Sequence, residues 1–203
     1  VDGNFDNPIT QATTWNASVN DVGQWYGSDF SVVNNSANLN SPTYSYGNSA
    51  QRSLIQVLPI TTAGTYEWSF NHKISDYDSQ WSYWQVYLLK EDATINLKGG
   101  PNYGQTLPET RLISKDYAPT GKDDGRWHSY SDQFTISDSD IRNYQYAAFI
   151  MTGSLYSPCQ VFGYQNLMTT MAVPEPATLG LLALGGGWFL LRKPRRSGQT
   201  DKQ

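Results

Sequence analysis

Between Trp81 and Leu88 the chain reads Trp-Ser-Tyr-Trp-Gln-Val-Tyr-Leu, the densest run of rings it contains. Side chains of a β-strand alternate between two faces. Trp84, Val86 and Leu88 then form an apolar face that belongs in a core. Trp81, Tyr83, Gln85 and Tyr87 share the other face, where Lys or Thr would be ordinary. Flat rings stack on the apolar faces of sugars, while amides and carboxylates bond their hydroxyls. This row is therefore the candidate carbohydrate-binding surface. Thr65 to Ile74, taken as the neighbouring strand, adds Glu67 and Asn71, with Ser69 and Lys73, to the same outward face. Outward Tyr also stabilises sheets by cross-strand pairing, and that is the competing reading.

Other chemistries find less support. Glycoside hydrolysis needs two carboxylates facing each other across a cleft, about 5–10 Å apart. Asp76, Asp78, Asp123, Asp124, Asp138 and Asp140 all fall in polar stretches that read as turns, where Asp is solvated or caps a turn. His72 and His128 lie far apart in sequence, without a Cys/His metal spacing. No Gly-x-Ser-x-Gly, phosphate loop or zinc-protease pattern occurs. The expectation is a chain that is not an enzyme.

These residues need strands to position them. Aromatic and β-branched residues are plentiful, and no long stretch repeats apolar residues at helical spacing. Strands are predicted at Phe30 to Val33, Ser53 to Leu58, Thr65 to Ile74, Tyr83 to Lys90, His128 to Ile136, Tyr144 to Thr152 and Val161 to Met168. Turn-rich segments separate them at Asn34 to Asn48, Gly99 to Gly104, Thr120 to Gly125 and Gly153 to Pro158. Seven or eight strands without a helix predict an all-β sandwich over residues 1–170. A single Cys159 excludes an intrachain disulfide framework.

The C-terminus is built differently. Ala177 to Leu191 is a run of fifteen uncharged residues, followed by Arg192, Lys193, Arg195 and Arg196. An apolar block closed by basic residues is a stop-transfer pattern with its basic side in the cytoplasm. It would hold residues 1–170 across the membrane. Fifteen helical residues span about 22 Å against a hydrocarbon core of about 30 Å. Gly180, Gly185, Gly186 and Gly187 weaken the helix further. Such a segment, 177–191, suits a transient anchor better than a permanent one. The sequence begins at Val1, so a removed N-terminal signal peptide is expected to have exported it.

Val173-Pro174-Glu175-Pro176, the apolar run and the basic cluster together resemble a PEP-CTERM sorting signal over residues 171–203. In proteins with that signal, a membrane protease-transpeptidase called exosortase is the partner. The resemblance implies that Pro174, Glu175 and Pro176 are recognition residues. It also implies transient inner-membrane anchoring, followed by release to the cell surface or beyond. Two prolines one residue apart hold the segment extended, as a protease groove requires.

Charge divides along the same boundary. Residues 1–170 carry nine Lys/Arg against sixteen Asp/Glu, a net −7, and the remainder five against two, a net +3. An acidic domain argues against nucleic acid, whose phosphates need clustered cations.

Four segments of the acidic domain resemble galactose-binding-like jelly rolls of the carbohydrate-binding-module kind. They are Asp2-Gly3-Asn4-Phe5-Asp6; Ser53 to Val57 running into Ala63-Gly64-Thr65-Tyr66; Trp127-His128-Ser129-Tyr130 leading to Phe134 and Ile136; and Val161 to Leu167. The resemblance implies a jelly-roll β-sandwich that associates with exopolysaccharide or other glycans. It also implies a structural Ca²⁺ where the first and last strands meet, with Asp2, Asn4, Asp6, Gln165 and Asn166 as ligands. Ca²⁺ takes six to eight oxygens. Gln165-Asn166 stands where those modules carry an acid, so calcium and an ion-free, hydrogen-bonded terminus both stay open. A secreted sugar-active enzyme on the same fold, and a surface protein that binds no glycan, are the alternative functions.

Overall fold

A computed structural model describes residues 5–39, 50–75, 82–117, 124–155 and 161–172, the last of these as backbone. The chain divides into two units, Val1–Ala172 and Val173–Gln203, and every described residue belongs to the first. Among the described residues no helix is long and apolar enough to cross a membrane. Ala177–Leu191 lies outside them.

The strands are β1 (Thr10–Gln11), β2 (Thr14–Asn16), β3 (Trp25–Gly27), β4 (Phe30–Val33), β5 (Ser36–Leu39), β6 (Ala50–Pro59), β7 (Gly64–Ser75), β8 (Tyr83–Leu89), β9 (Thr94–Asn96), β10 (Thr110–Tyr117), β11 (Asp124–Ile136), β12 (Tyr146–Leu155) and β13 (Val161–Ala172). They form a six-stranded sheet in the order β1-β3-β6-β12-β8-β10 and a five-stranded sheet in the order β11-β7-β13-β5-β4. A two-stranded ribbon joins β2 to β9. From β5 onward the chain crosses repeatedly between the two large sheets, giving a β-sandwich of the jelly-roll kind.

Alternation sets the core. On β7, Trp68, Phe70 and His72 are buried, with Tyr66 packed against them, while Glu67 is exposed. On β8, Trp84, Val86 and Leu88 enter the same core, as their period predicts. Phe70 meets Trp84 edge-on at 4.9 Å between ring centroids, and Tyr130 of β11 lies 4.5 Å from Trp84. Burial pushes the Tyr130 hydroxyl far above the usual phenol range, and nearby Asp132 and Asp116 reinforce the shift.

Three sequence expectations need correction. Thr110–Tyr117 is a strand, and it forms one edge of the larger sheet. The sandwich also holds one short helix, α1 (Asp138–Asn143). Its start is a capping box: Asp140 Oδ2 accepts from the Ser137 amide at 2.9 Å and from Ser137 Oγ at 2.7 Å. Asp140 is therefore buried and paired with Arg111, not a solvated turn acid. Burial alone would raise its carboxyl, but the Ser137 hydrogen bonds and Arg111 outweigh that and hold it below the usual range. Finally, His72 and His128 are opposite one another across β7 and β11, with ring centroids 5.9 Å apart. Their separation in sequence hides a direct cross-strand register.

Candidate functional site

The row predicted to face outward does share one face, but that face is covered. Tyr83, Gln85 and Tyr87 are fully buried. The reason lies in the segment after β9, which folds back over the six-stranded sheet as a strap of residues 97–107. Trp15, Ala93, Ile95 and Leu97 pack there with Tyr87, Leu89, Ile55 and Ile150 in a second apolar cluster, separate from the sandwich core.

The polar ends of the row hold the strap. Tyr83 Oη donates to the Pro101 carbonyl at 2.8 Å, and Tyr87 Oη donates to the Gln105 carbonyl at 2.8 Å. The Gly104 amide donates to Gln85 Oε1 at 2.6 Å. Burial, with the neighbouring Tyr83, pushes the Tyr87 hydroxyl far above the usual phenol range. These three side chains bind their own chain where a ligand was expected. Trp81 lies outside the described residues.

Glu67 and Asn71 are not beside them. Strand β7 belongs to the five-stranded sheet, whereas the neighbours of β8 are β12 and β10. Register places Glu67 opposite Gln133 and Asn71 opposite Ser129 on the outer face of the opposite sheet. There Ser129 Oγ donates to Asn71 Oδ1 at 2.8 Å. The five described residues of the predicted surface are thus split between the two sides of the sandwich.

At the rim of the strap, rings do reach solvent. Tyr117 ends β10 opposite Tyr83 and remains 42% exposed. Tyr103 of the strap stacks on it, with centroids 3.8 Å apart and planes 22° from parallel. Lys115 Nζ stands 4.9 Å from the centre of the Tyr103 ring, close enough for a cation–π contact. Gly104 makes this approach possible. Its φ is +67°, and a Cβ there would sit 2.6 Å from Lys115 Nζ. Partial burial raises the Tyr103 phenol, as do Tyr117 and Asp116 beside it. The exposed Asn102 and Gln105 flank the ring within the same loop.

This arrangement leaves the Tyr117 ring partly open for stacking, with amides and an ammonium beside it for hydroxyl groups. Sequence reading misses it because LISKDY lacks a clear apolar alternation, so nothing there predicts a strand ending in Tyr117. The signal available was the pairing of KDY with the Gly-Gly-Pro-Asn-Tyr-Gly loop, which only the fold brings together.

The expected calcium ligands are only partly described. Asp2 and Asn4 lie outside the described residues. Asp6 is exposed, and Asn35 Nδ2 donates to its Oδ1 at 3.4 Å. The backbone of β13 sets Tyr164 opposite Ala37 and Gln165 opposite Asn71, with Asn166 inside the register shift before Met168. Among the described residues no three His, Cys, Asp or Glu side chains come together as a metal site. Val173 to Pro176, Arg192, Lys193, Arg195 and Arg196 lie outside them.

Residues 172–196 match the PEP-CTERM protein-sorting motif. No curated protein matches the chain in sequence. Among solved structures, a CBM4 carbohydrate-binding module superposes with a TM-score of 0.52 at 12% identity, over 84% of this chain and 98% of that one. A Family 16 carbohydrate-binding module gives 0.49 at 13% identity, over 84% and 97% of the two chains. An arabinose-bound GH51 α-L-arabinofuranosidase gives 0.44 at 12% identity, over 83% of this chain but 25% of that one. At such identities the likeness is one of fold. The chain is thus an exported protein with a C-terminal PEP-CTERM sorting signal, behind a jelly-roll domain folded like that of a carbohydrate-binding module.

Proposed function

We propose that this protein is a non-enzymatic glycan-binding module of the extracellular matrix, which holds neutral exopolysaccharide at the Tyr103–Tyr117 rim. The observation that carries the reading is the stacked pair itself, half out of the sheet and backed by Lys115. Ring faces at the surface are costly to leave wet, and a sugar ring covers them without demanding a charge. The acidic balance of residues 1–170 disfavours anionic polymers.

The tail serves delivery. Export brings the domain across the inner membrane, 177–191 pauses there as a short anchor, and exosortase cuts near Pro174–Pro176 to release it to the surface. Mass spectrometry of the native protein then finds the residues after Pro176 missing. Native protein at the surface that still carries Trp188 and Arg196 would make the segment an ordinary anchor. For the ligand, a glycan array is probed with the full chain in mild detergent. Neutral glycans are retained by the native chain and held clearly more weakly by Tyr117→Ala at unchanged melting temperature. Equal retention by both proteins removes the rim from the account.

A further inference from the structure

The six-stranded sheet has a second edge. Strand β10 carries the tyrosine rim at one end of the strand order, and β1 stands at the other. Strands lie about 4.8 Å apart, so five intervals separate the two edges by about 24 Å.

Two open depressions of mixed polar and apolar lining follow one another along the β1 edge. One, of about 350 Å³, lies between Asn7–Thr10 and Gly23–Trp25. The next, of about 500 Å³, lies between Gln11–Thr14 and Ser28–Asp29. Thr10 lines the first and Gln11 the second, consecutive residues of β1 paired in parallel with Tyr26 and Gly27 of β3.

Asp29 is held in place from two sides, at its amide and at its carboxylate. Its φ of +64° is in the left-handed region, which Asp tolerates better than most residues. Its amide donates to Gln11 Oε1 at 3.1 Å, and Gln11 Nε2 donates onward to the Phe30 carbonyl. Its carboxylate takes Arg52 Nε at Oδ2. Arg52 is itself fixed, because Nη1 donates to the carbonyls of Gln51 at 2.9 Å and Lys98 at 3.0 Å. A carboxylate has about four acceptor positions, so one ion pair leaves capacity for hydroxyl donors. The exposed Thr13 and Thr14 line the same cavity. In the other depression, Gly23 has a φ of +84° and nothing within 4 Å of a Cβ position, and its backbone is fixed: its amide donates to the Val57 carbonyl at 2.7 Å and its carbonyl accepts from Gln56 Nε2 at 3.0 Å. A fixed acceptor, hydroxyls and amides suit a neutral ligand rich in hydroxyl groups, and the carboxylate repels an anion.

We propose that the β1 edge is a second glycan site, so that one domain holds two neutral saccharides at opposite edges of one sheet and cross-links the polymer. This rests on the tyrosine rim being the first site. The test is calorimetric titration of the full chain in mild detergent with neutral gluco-, galacto- and mannotrisaccharides, too short to bridge the edges. The expected stoichiometry is two for the trisaccharide that binds, falling to one in Tyr117→Ala. It also falls to one in Asp29→Asn and in Thr14→Tyr, which fills the cavity from an exposed strand position. The native chain, but neither Tyr117→Ala nor Thr14→Tyr, raises the viscosity of the matching polysaccharide. A stoichiometry of one, abolished by Tyr117→Ala and untouched by Thr14→Tyr, overturns the second site and leaves the rim standing. One site lost only in Thr14→Tyr overturns the bivalent account and the rim together, as does the absence of any binding.

Discussion

The two sheets treat their outer faces in opposite ways. On the six-stranded sheet the outward row Tyr83, Gln85, Tyr87 and Leu89 is buried beneath the strap and the β2–β9 ribbon. On the five-stranded sheet the outward row of β11 has Ser129, Ser131, Gln133 and Thr135 open to solvent, with Trp127 39% exposed. Both rows alternate cleanly with a core row. Alternation therefore identifies residues that share a face but is silent on what lies above it. The composition of the row carries that information. Large rings with one polar tip bury their bodies and aim their tips at backbone carbonyls, whereas Ser, Thr and Gln need no cover.

Stability measurements can break this contrast. Replacing Tyr87 by Ala is expected to cost about 3–5 kcal/mol, as for a buried aromatic. Glu67→Ala on the open face should stay within about 0.5 kcal/mol of the native chain. Equal effects in urea titration would mean that the strap does not cover the row. Tyr87→Phe isolates the hook alone. Losing the bond to the Gln105 carbonyl should cost about 1–3 kcal/mol and raise hydrogen exchange of the strap amides, with the sandwich core unaffected.

A smaller contrast sets a buried acid against an exposed one. Because Asp140 is held below the usual carboxylate range, its contribution is present above the unfolded value of about 3.9 and disappears as pH falls through the folded value. Asp140→Asn should cost about 1 kcal/mol at pH 7, as a cap does, and the gap should narrow as pH falls below the unfolded value and through the lower folded one. Glu67→Gln on the open face should stay within about 0.5 kcal/mol of the native chain at pH 7. The smallest effect concerns calcium at Asp6. Millimolar Ca²⁺ should raise the melting temperature of the full chain by a few degrees, reversed by EDTA, if the two chain ends form that site. An unchanged melting temperature removes calcium from the account of Asp6.

Much of the fold was legible because the long strands advertise themselves. Thr65 to Ile74 and Tyr83 to Lys90 carry period-two rows of Trp, Phe and Leu, and β7 and β8 fall there within a residue or two. The short strands β1, β2, β3 and β9 were not, since two or three residues have no readable period and are fixed by neighbours. Sheet membership was not legible either. Glu67 follows the same local pattern as Tyr83, and only the chain crossing from β6 to β7 to β8 puts them on opposite sides. The helix α1 escaped notice because Ser137 to Asp140 reads as a turn until its second acid is seen to cap the first residue. The site was legible in kind, as rings beside amides, but not in place. Tyr103 comes from a loop and Tyr117 from a strand edge, and their stacking depends on long-range closure of the strap.

The central claim is that glycan meets the tyrosine rim and neither broad face. It is tested most directly by NMR of the full chain with labelled tyrosine and tryptophan, titrated with the neutral glycan retained best on the array. The ring signals of Tyr103 and Tyr117 should shift with saturating dose dependence, and those of Tyr83, edge-on to both, should follow, while the indole signal of Trp127 on the open face and the ring signals of the buried Tyr87 stay fixed. Saturable shifts at Trp127 with Tyr103 and Tyr117 unmoved would place the ligand on the five-stranded sheet and contradict the account.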